Sequence, residues 1–458
     1  MLVRKADLIG RKVGILGLGR EGRAAREYMR SVFPELELAL ICESPPERDF
    51  AAQLSEKDRL ITGPLSRAHL ERFDLLVRSP GISPYRPSVQ AAMKAGVEIT
   101  TASNMWFTAH PGEKTICVSG TKGKSTTSAL IAHALRSCAY RVRLAGNIGR
   151  PLLSCNDKDV DWWVIELSSF QLADLETKPS VAVMLNLSED HLDWHGSERV
   201  YQRDKLRLIE LAGDSPVIAN AADPVLVDAL SARTDITWFN SNSGIHVEGS
   251  SILDGEEVLP LRVPEELPGT HNLANIAAAL TVLKVIGADV LRAARGIDSF
   301  QSLPHRLQLV GERDGVRFVN DSIASSPVAT AAALEALSTR PVTLIIGGLD
   351  RGLDWTPYVR AFKSAMPQAV IAIPDNGPRI IKTLQNAGLD AEHGFHQVAG
   401  LAEAVELAEK LTVRGGVVLL SPGAPSFGQF ADYRDRGRQF ARFCGFELEA
   451  KLKAAGQG

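Results

Sequence analysis

Residues 115–126 read Thr-Ile-Cys-Val-Ser-Gly-Thr-Lys-Gly-Lys-Ser-Thr, and the chain runs on into Thr127-Ser-Ala-Leu-Ile-Ala-His-Ala-Leu135. A short apolar run, a Gly/Lys turn and an Ala/Leu-rich amphipathic segment, in that order, predict a buried strand, a phosphate-holding loop and a helix whose N-terminus faces the loop. Lys124 would set its ammonium on the outer phosphates of a nucleotide and Ser125 its hydroxyl on Mg²⁺, with Thr126 following. The backbone amides of Gly120, Thr121, Lys122 and Gly123 would wrap the phosphate chain. Only two residues separate Gly120 from Gly123, so the spacing is shorter than in a Walker loop.

Strand, Gly turn and amphipathic stretch start afresh at Lys12-Val-Gly-Ile-Leu16 and again at Val342-Thr-Leu-Ile-Ile346. This alternation predicts an α/β protein of parallel sheets covered by helices. The 458 residues leave room for three such domains, at 1–104, 105–302 and 303–458. Linkers are expected at 101–111 and near 301–304. A hairpin is expected over Leu307–Val310 and Val316–Val319, a helix over Asn275–Ile286, and a small β-rich stretch after the turn at 240–244.

Hydrophobic residues make up 45% of the chain and charged ones 23%, which excludes global disorder, collagen and coiled coil. Lys and Arg number 51 against 54 Asp and Glu, a net charge of -3, so no basic field gathers nucleic acid or an anionic membrane. Neither is expected as a partner. Five scattered cysteines with no C-x-x-C pair argue against a disulfide framework or a zinc site. A charged N-terminal stretch at 1–7 and apolar runs of strand length predict neither a signal peptide nor membrane insertion, and a cytoplasmic protein.

Two further groups of residues carry chemistry. Gly17-Leu-Gly19-Arg20-Glu21-Gly22 follows a strand and opens a helix, and Glu43 ends the next strand. Such a Rossmann-like turn presents amides to phosphate and an acid to a ribose hydroxyl, and taken alone it suggests an NAD-dependent oxidoreductase. Ser79-Pro80-Gly81 is a second turn that could face the same ligand. Downstream, Glu166 closes the strand Trp162-Trp-Val-Ile165, Asn186-Leu-Ser-Glu-Asp190-His191-Leu-Asp193 follows another strand, and Lys205 comes later. Oxygen and imidazole ligands leaving adjacent strands opposite a phosphate loop suggest a Mg²⁺ site.

Seven ordered stretches resemble one family: Gly120–Thr126, Gly146-Asn147-Ile-Gly149, Glu166-Leu-Ser168-Ser-Phe-Gln171-Leu172, Asn186–His191, Gly269-Thr-His-Asn272-Leu-Ala-Asn275, Leu303-Pro-His-Arg306 and Asn320-Asp321-Ser322. The chain is similar throughout to the Mur ligases, and within them to the glutamate-adding, MurD-type branch. The resemblance implies an N-terminal Rossmann-like domain that binds the UDP of the substrate rather than NAD, a central P-loop ATPase-like domain, and a C-terminal Rossmann-like domain. It implies an ATP-dependent amide ligase of peptidoglycan precursor synthesis, joining glutamate to UDP-N-acetylmuramoyl-L-alanine through an acyl phosphate and releasing ADP and phosphate.

Carried over residue by residue, the resemblance assigns Gly120–Thr126, Asn272, Asn275, Arg306 and Asp321 to ATP. Two Mg²⁺ ions fall to Ser125, Glu166, His191 and Lys205, the lysine carrying a carbamate, and closure of the domains on ATP is implied. Gly19, Arg20, Glu21, Glu43, Ser79, Pro80, Gly81, Asn147, Ser168 and Gln171 fall to the UDP-sugar. Glutamate falls to Ser325, Arg351, Ser426, Phe427 and Tyr433. This last pocket departs from the common pattern. Ile323 and Ser325 stand in a stretch that often reads Asp-Ser-Lys-Ala-Thr, Arg351 takes the place of a lysine, and Phe427 that of a leucine. Inverting the α-carbon of the amino acid would require such a rebuilt set of cations, since a bidentate arginine and a point-charge lysine hold carboxylates differently. The Mur ligases include a branch that adds L-glutamate and leaves a separate epimerase to act afterwards, and resemblance to that branch makes L-glutamate the expected substrate. The alternatives are a D-glutamate-adding enzyme with neutral drift in the pocket, and a non-catalytic regulator that binds a nucleotide sugar.

Overall fold

A computed structural model describes residues 8, 10–46, 48–264, 267 and 269–448, so the N-terminal stretch 1–7 read above lies outside the described residues. The chain forms two compact units, Met1–Arg262 with His271–Asp298, and Val263–Thr270 with Ser299–Gly458.

The first unit contains a five-stranded parallel sheet, ordered β3-β2-β1-β4-β5, from β1 (Val13–Leu16), β2 (Leu38–Cys42), β3 (Asp58–Thr62), β4 (Leu75–Arg78) and β5 (Glu98–Thr101). Its three inner strands are buried at every residue, which is why they read as apolar runs, broken only by Arg78 at the end of β4, which pairs with Asp174. The edge strand β3 is largely exposed and polar. Helix α1 (Arg20–Val32) leaves the turn after β1 and packs closely on it. A Cβ on Gly22 would lie 1.9 Å from the carbonyl oxygen of Gly17, so only glycine admits this approach.

The stretch expected as a linker is instead a helix, α2 (Ala102–Ala109), capped by Thr101 Oγ1, which accepts from the amide of Asn104. Met105, Trp106 and Phe107 fix it by burial, and Trp106 meets Trp163 edge to face at 4.8 Å. The aromatic content of this stretch outweighed its position between two sheets.

In the same unit lies a six-stranded parallel sheet, ordered β11-β10-β9-β6-β8-β7, from β6 (Thr115–Ser119), β7 (Val142–Gly146), β8 (Trp162–Glu166), β9 (Val181–Met184), β10 (Val217–Asn220) and β11 (Ile236–Phe239). Helices α3 (Lys124–Ser137), α4 (Glu198–Ala212) and α5 (Thr270–Val285) belong with it. Helix α5 begins five residues before its expected start. One continuous core, from Val13 and Trp106 to Trp163, Leu208 and Leu226, is shared by the two sheets. The expected small β-rich stretch is an antiparallel meander, β12 (Ile245–Glu248), β13 (Ser251–Asp254) and β14 (Glu257–Val258).

The second unit is built on a six-stranded sheet, ordered β15-β16-β20-β17-β18-β19, from β15 (Gln308–Arg313), β16 (Val316–Asn320), β17 (Val342–Ile346), β18 (Ala369–Ala372), β19 (Phe395–Gln397) and β20 (Val417–Leu420). The β15–β16 pair is the expected hairpin, and the other pairings are parallel. One core lies on each face, and helix α6 (Tyr433–Phe443) covers part of one of them through Phe440 and Ala441. The cysteines at 42, 117, 138, 155 and 444 are all free.

Candidate active site

Strands β9, β6 and β8 are neighbours, with Val118 paired to Glu166 and Ser119 to Met184. The segments leaving their carboxyl ends therefore emerge side by side, the usual place for ligands in an open parallel sheet. They are the loop Gly120–Gly123, Glu166 with its following turn, and the stretch Asn186–His191.

The phosphate loop is held by the stretch after β9 and by α4 as well as by its own lysine. Asn186 accepts from the amide of Lys122 at 2.8 Å and donates to its carbonyl at 3.0 Å. The Thr121 hydroxyl accepts from the Ser188 amide at 3.0 Å and lies 2.7 Å from the Tyr201 hydroxyl. Gly123, at φ 82°, starts α3, and a Cβ there would lie 2.6 Å from Asn275 Oδ1. That oxygen accepts from the Thr127 hydroxyl at 3.1 Å, while the Asn275 amide donates to Asn272 Oδ1 at 3.1 Å. Asn275 thus reaches the start of α3 from α5, and Asn272, one turn earlier on α5, braces Asn275. The Lys124 ammonium lies over its own loop, donating to the carbonyls of Gly120 and Thr121 at 2.9 Å. Ser125 and Thr126 follow it in the first turn of α3.

Glu166 is buried, and its two oxygens are unequal. Asn147 donates to Oε1 at 2.6 Å, whereas buried Oε2 has no partner. A buried carboxylate oxygen with no donor suits a bound cation. Lys205, on α4, is buried beside it and donates to the Gly120 carbonyl. Burial, helped by the Lys124 charge, holds its ammonium well below the ordinary lysine range, and the pull of Asp190 and Glu166 does not restore it. A lysine that gives up its proton readily is a nucleophilic amine.

His191 is half-exposed in left-handed backbone, φ 51°, next to Phe170. Burial pushes its imidazole down from the ordinary value, with Lys124 and Lys122 working against Asp190 and Asp193, so it is held neutral and able to ligate. Asp190 pairs with Lys122 at 3.4 Å; its own burial is outweighed by Lys122 and His191, and its carboxyl stays below the usual range. Among the described residues no cluster of three His, Cys, Asp or Glu side chains forms a metal cage.

Among the residues expected at the UDP-sugar, several converge between β1 and β8. Arg20 donates to the carbonyls of Asn147 at 2.8 Å and of Gly146 and Gly149 at 3.3 Å. Glu21, buried, accepts from Gln171 at 2.7 Å through Oε1 and has no partner for Oε2. Burial raises its carboxyl to about 7 against the opposing pull of Arg20 and Gln171. Ser168 and Gln171 form a reciprocal cap on the short helix that follows. The Ser79 hydroxyl is spent on the Gly17 carbonyl at 2.7 Å, and the Pro80 carbonyl accepts from Trp194 at 3.1 Å. Gly81 and Gly19 have open space where a Cβ would stand. Glu43, expected at a ribose, forms a two-point pair with Arg86 at 2.8 and 3.0 Å.

In the second unit Asp321 follows β16 and is buried. It accepts from Ser421 Oγ at 2.8 Å and the Leu307 amide at 3.2 Å, and burial raises its carboxyl to about 6. Arg306 has a buried Nε without a partner. Ser426 is buried on the turn after β20, while Ser325, Arg351 and Phe427 stand exposed, Phe427 at 60%. Tyr433 packs edge to face on His305.

Sequence reasoning missed Arg436. It is fully buried and donates to Ser322 Oγ at 3.0 Å, the Ser322 carbonyl at 2.8 Å and the Ala424 carbonyl at 2.9 Å, with Nη1 unpartnered. It stitches the turns after β16 and β20 together. Burial lowers its guanidinium to about 10.

The fold and its loop are those of a phosphate-binding α/β protein. Residues 11–101 match the MurD-like N-terminal domain of Mur ligases, 118–283 the Mur ligase middle domain, and 305–424 the Mur ligase glutamate ligase domain. The chain belongs to the Mur ligase family. It is 40% identical over 469 residues to a UDP-N-acetylmuramoyl-L-alanine--L-glutamate ligase of Xanthomonas oryzae pv. oryzae, covering 100% of both chains. It is 41% identical over 471 residues to a protein of the same description from Xylella fastidiosa, again covering 100% of both. Among solved structures it is similar to a UDP-N-acetylmuramate-alanine ligase of Thermotoga maritima, with a TM-score of 0.61, 18% identity, and 95% and 99% of the two chains covered. No described helix is long and apolar enough to cross a membrane.

Proposed function

We propose that this ligase joins L-glutamate to UDP-N-acetylmuramoyl-L-alanine at the expense of ATP, in peptidoglycan precursor synthesis. The observation that carries the chemistry is an unpartnered buried Glu166 oxygen within electrostatic reach of a buried Lys205, which itself donates to Gly120 of the phosphate loop. Support for the L-isomer comes from the names of the two full-length relatives and from the altered pocket residues Ile323, Arg351 and Phe427.

In this reading the amides of Gly120–Gly123 and the Lys124 ammonium hold the phosphates, and Asn272 and Asn275 fix the loop. Ser125, Glu166, His191 and Lys205 would hold Mg²⁺, which supplies charge stabilisation for phosphoryl and acyl transfer. Lys205 serves as a carbamate: its neutral amine adds to CO₂, the new N–C bond forms, and one proton leaves to solvent. The product is a buried anion facing the cations rather than a cation among them. Arg20, Glu21, Asn147, Ser168 and Gln171 hold the nucleotide sugar so that its terminal carboxylate meets the γ-phosphorus in line. That carboxylate forms the new P–O bond as ADP leaves. The glutamate amine then attacks the acyl carbon, and phosphate departs with the original carboxylate oxygen. Arg306 and Asp321 are assigned to ATP, and Ser325, Arg351, Ser426, Phe427 and Tyr433 to glutamate. An epimerase would act on the product.

Substrate labelled with ¹⁸O in the terminal carboxylate tests the acyl phosphate. One label per turnover should appear in inorganic phosphate, and ADP release should require the nucleotide sugar. Unlabelled phosphate would exclude the mechanism, and nucleotide-sugar binding without turnover would restore the regulator reading.

A further inference from the structure

Glu166, His191 and Lys205 sit on three different elements, and no hydrogen bond joins them directly. Behind them runs one buried polar chain that does join those elements. Ser169 lies three residues after Glu166, His195 four after His191, and Asp204 immediately before Lys205. His195 Nε2 lies 3.0 Å from Ser169 Oγ, and Nδ1 lies 2.8 Å from Asp204 Oδ2. All three residues are 2% exposed. The carboxylate also accepts from Tyr85 at 2.7 Å on both oxygens and from Arg203 at 2.9 Å.

With the Nδ1 proton directed at the carboxylate, Nε2 accepts from the serine hydroxyl, and every strong group in the chain is used. The order hydroxyl, imidazole, carboxylate is that of a hydrolase nucleophile unit. A hydroxyl buried this deeply presents no face to a substrate, so nucleophilic catalysis does not follow. What the chain does is set spacing. Ser169 fixes the turn after β8, His195 the stretch that carries His191, and Asp204 the register of α4 at Lys205. Tyr85 reaches the same carboxylate from the segment after β4.

We propose that Ser169, His195 and Asp204 are positioning residues that lock the three ligand-bearing elements into one geometry and so set the affinity of the divalent-cation site. This rests on the reading of Glu166, His191 and Lys205 as cation ligands given above. Groups behind a metal's ligands typically govern its affinity by about 10–100-fold.

The test is Mn²⁺ binding to the full chain with ADP present, followed by the electron paramagnetic resonance of free Mn²⁺. UDP binding by calorimetry and the melting temperature are measured alongside. Ser169→Ala should weaken Mn²⁺ binding by about tenfold, and UDP affinity should hold. Ser169→Thr, which keeps a hydroxyl, should restore binding, and Asp204→Asn should weaken it as Ser169→Ala does. Glu166→Gln is the control for the underlying reading. If it leaves Mn²⁺ binding intact, the cation site itself is misplaced. If Glu166→Gln weakens binding but Ser169→Ala and Asp204→Asn do not, the positioning role is overturned alone. Loss of Mn²⁺ and UDP binding together, with a lowered melting temperature that Ser169→Thr does not restore, would show mere packing and also overturn it.

Discussion

Replacing Glu21 by glutamine should make the ligand-free protein more stable, and only at high pH. The carboxyl is buried at the start of α1, with one oxygen on Gln171 and the other on nothing, and burial lifts it from 4.5 to about 7. Below 4.5 it is protonated in both folded and unfolded chains, and its ionisation contributes nothing. Between 4.5 and about 7 the unfolded chain releases the proton while the folded one keeps it, so stability falls as pH rises. Above both values the penalty is complete, about 3 kcal/mol at 1.36 kcal/mol per pH unit. Glutamine has the same shape, still accepts from Gln171 and does not titrate. The stability of Glu21→Gln relative to the parent should therefore be flat below pH 4.5, rise through the window, and level off above pH 7. Melting curves of both proteins from pH 4 to 9 would show their difference widening by several degrees. A difference independent of pH would refute the argument, because an ordinary surface carboxyl gives that result. The same variant should bind the nucleotide sugar more weakly, as expected where a buried group is kept for a ligand.

Lys205→Ala should remove most activity, and short carboxylic acids should restore part of it by standing in for the carbamate; full activity without them would end that assignment. Gly123→Ala forces a side chain into left-handed backbone, a strain of about 1–2 kcal/mol, and drives its Cβ against Asn275. ATP affinity should fall by about tenfold, equivalent to 1.4 kcal/mol, and unchanged calorimetry would count against the loop's role. Arg436→Met strands the carbonyls of Ser322 and Ala424 and should cost about 2–4 kcal/mol, read as an earlier thermal transition. An unshifted melting curve would mean that the turns after β16 and β20 hold themselves.

Local pattern made much of the fold legible. The change from an apolar run to helical spacing across Gly120–Thr126 located β6, its loop and α3, and Glu166 and the acids and imidazole of 186–193 were visible because they sit at the end of one strand and on the segment leaving another. Features made by pairing distant residues were not. Glu43 meets Arg86 only through the folded sheet, a pairing that the sequence around neither residue announces. Ser169, His195 and Asp204 are ordinary residues until the folding of β8 and α4 brings them together. Arg436 lies in the charged run Tyr433-Arg-Asp-Arg436-Gly-Arg438, where nothing in the sequence separates a fully buried guanidinium from its exposed neighbour Arg434. Helix α2 was hidden by a boundary expectation, although Met105, Trp106 and Phe107 together are the composition of a buried segment.

Product mass and phosphate release, with ATP, Mg²⁺ and UDP-N-acetylmuramoyl-L-alanine and with L-glutamate or D-glutamate in separate reactions, bear most directly on what this chain does. Turnover with L-glutamate, giving a product heavier by one glutamyl residue, and none with D-glutamate is the predicted result. Turnover confined to D-glutamate would contradict it and make Ile323 and Arg351 neutral changes.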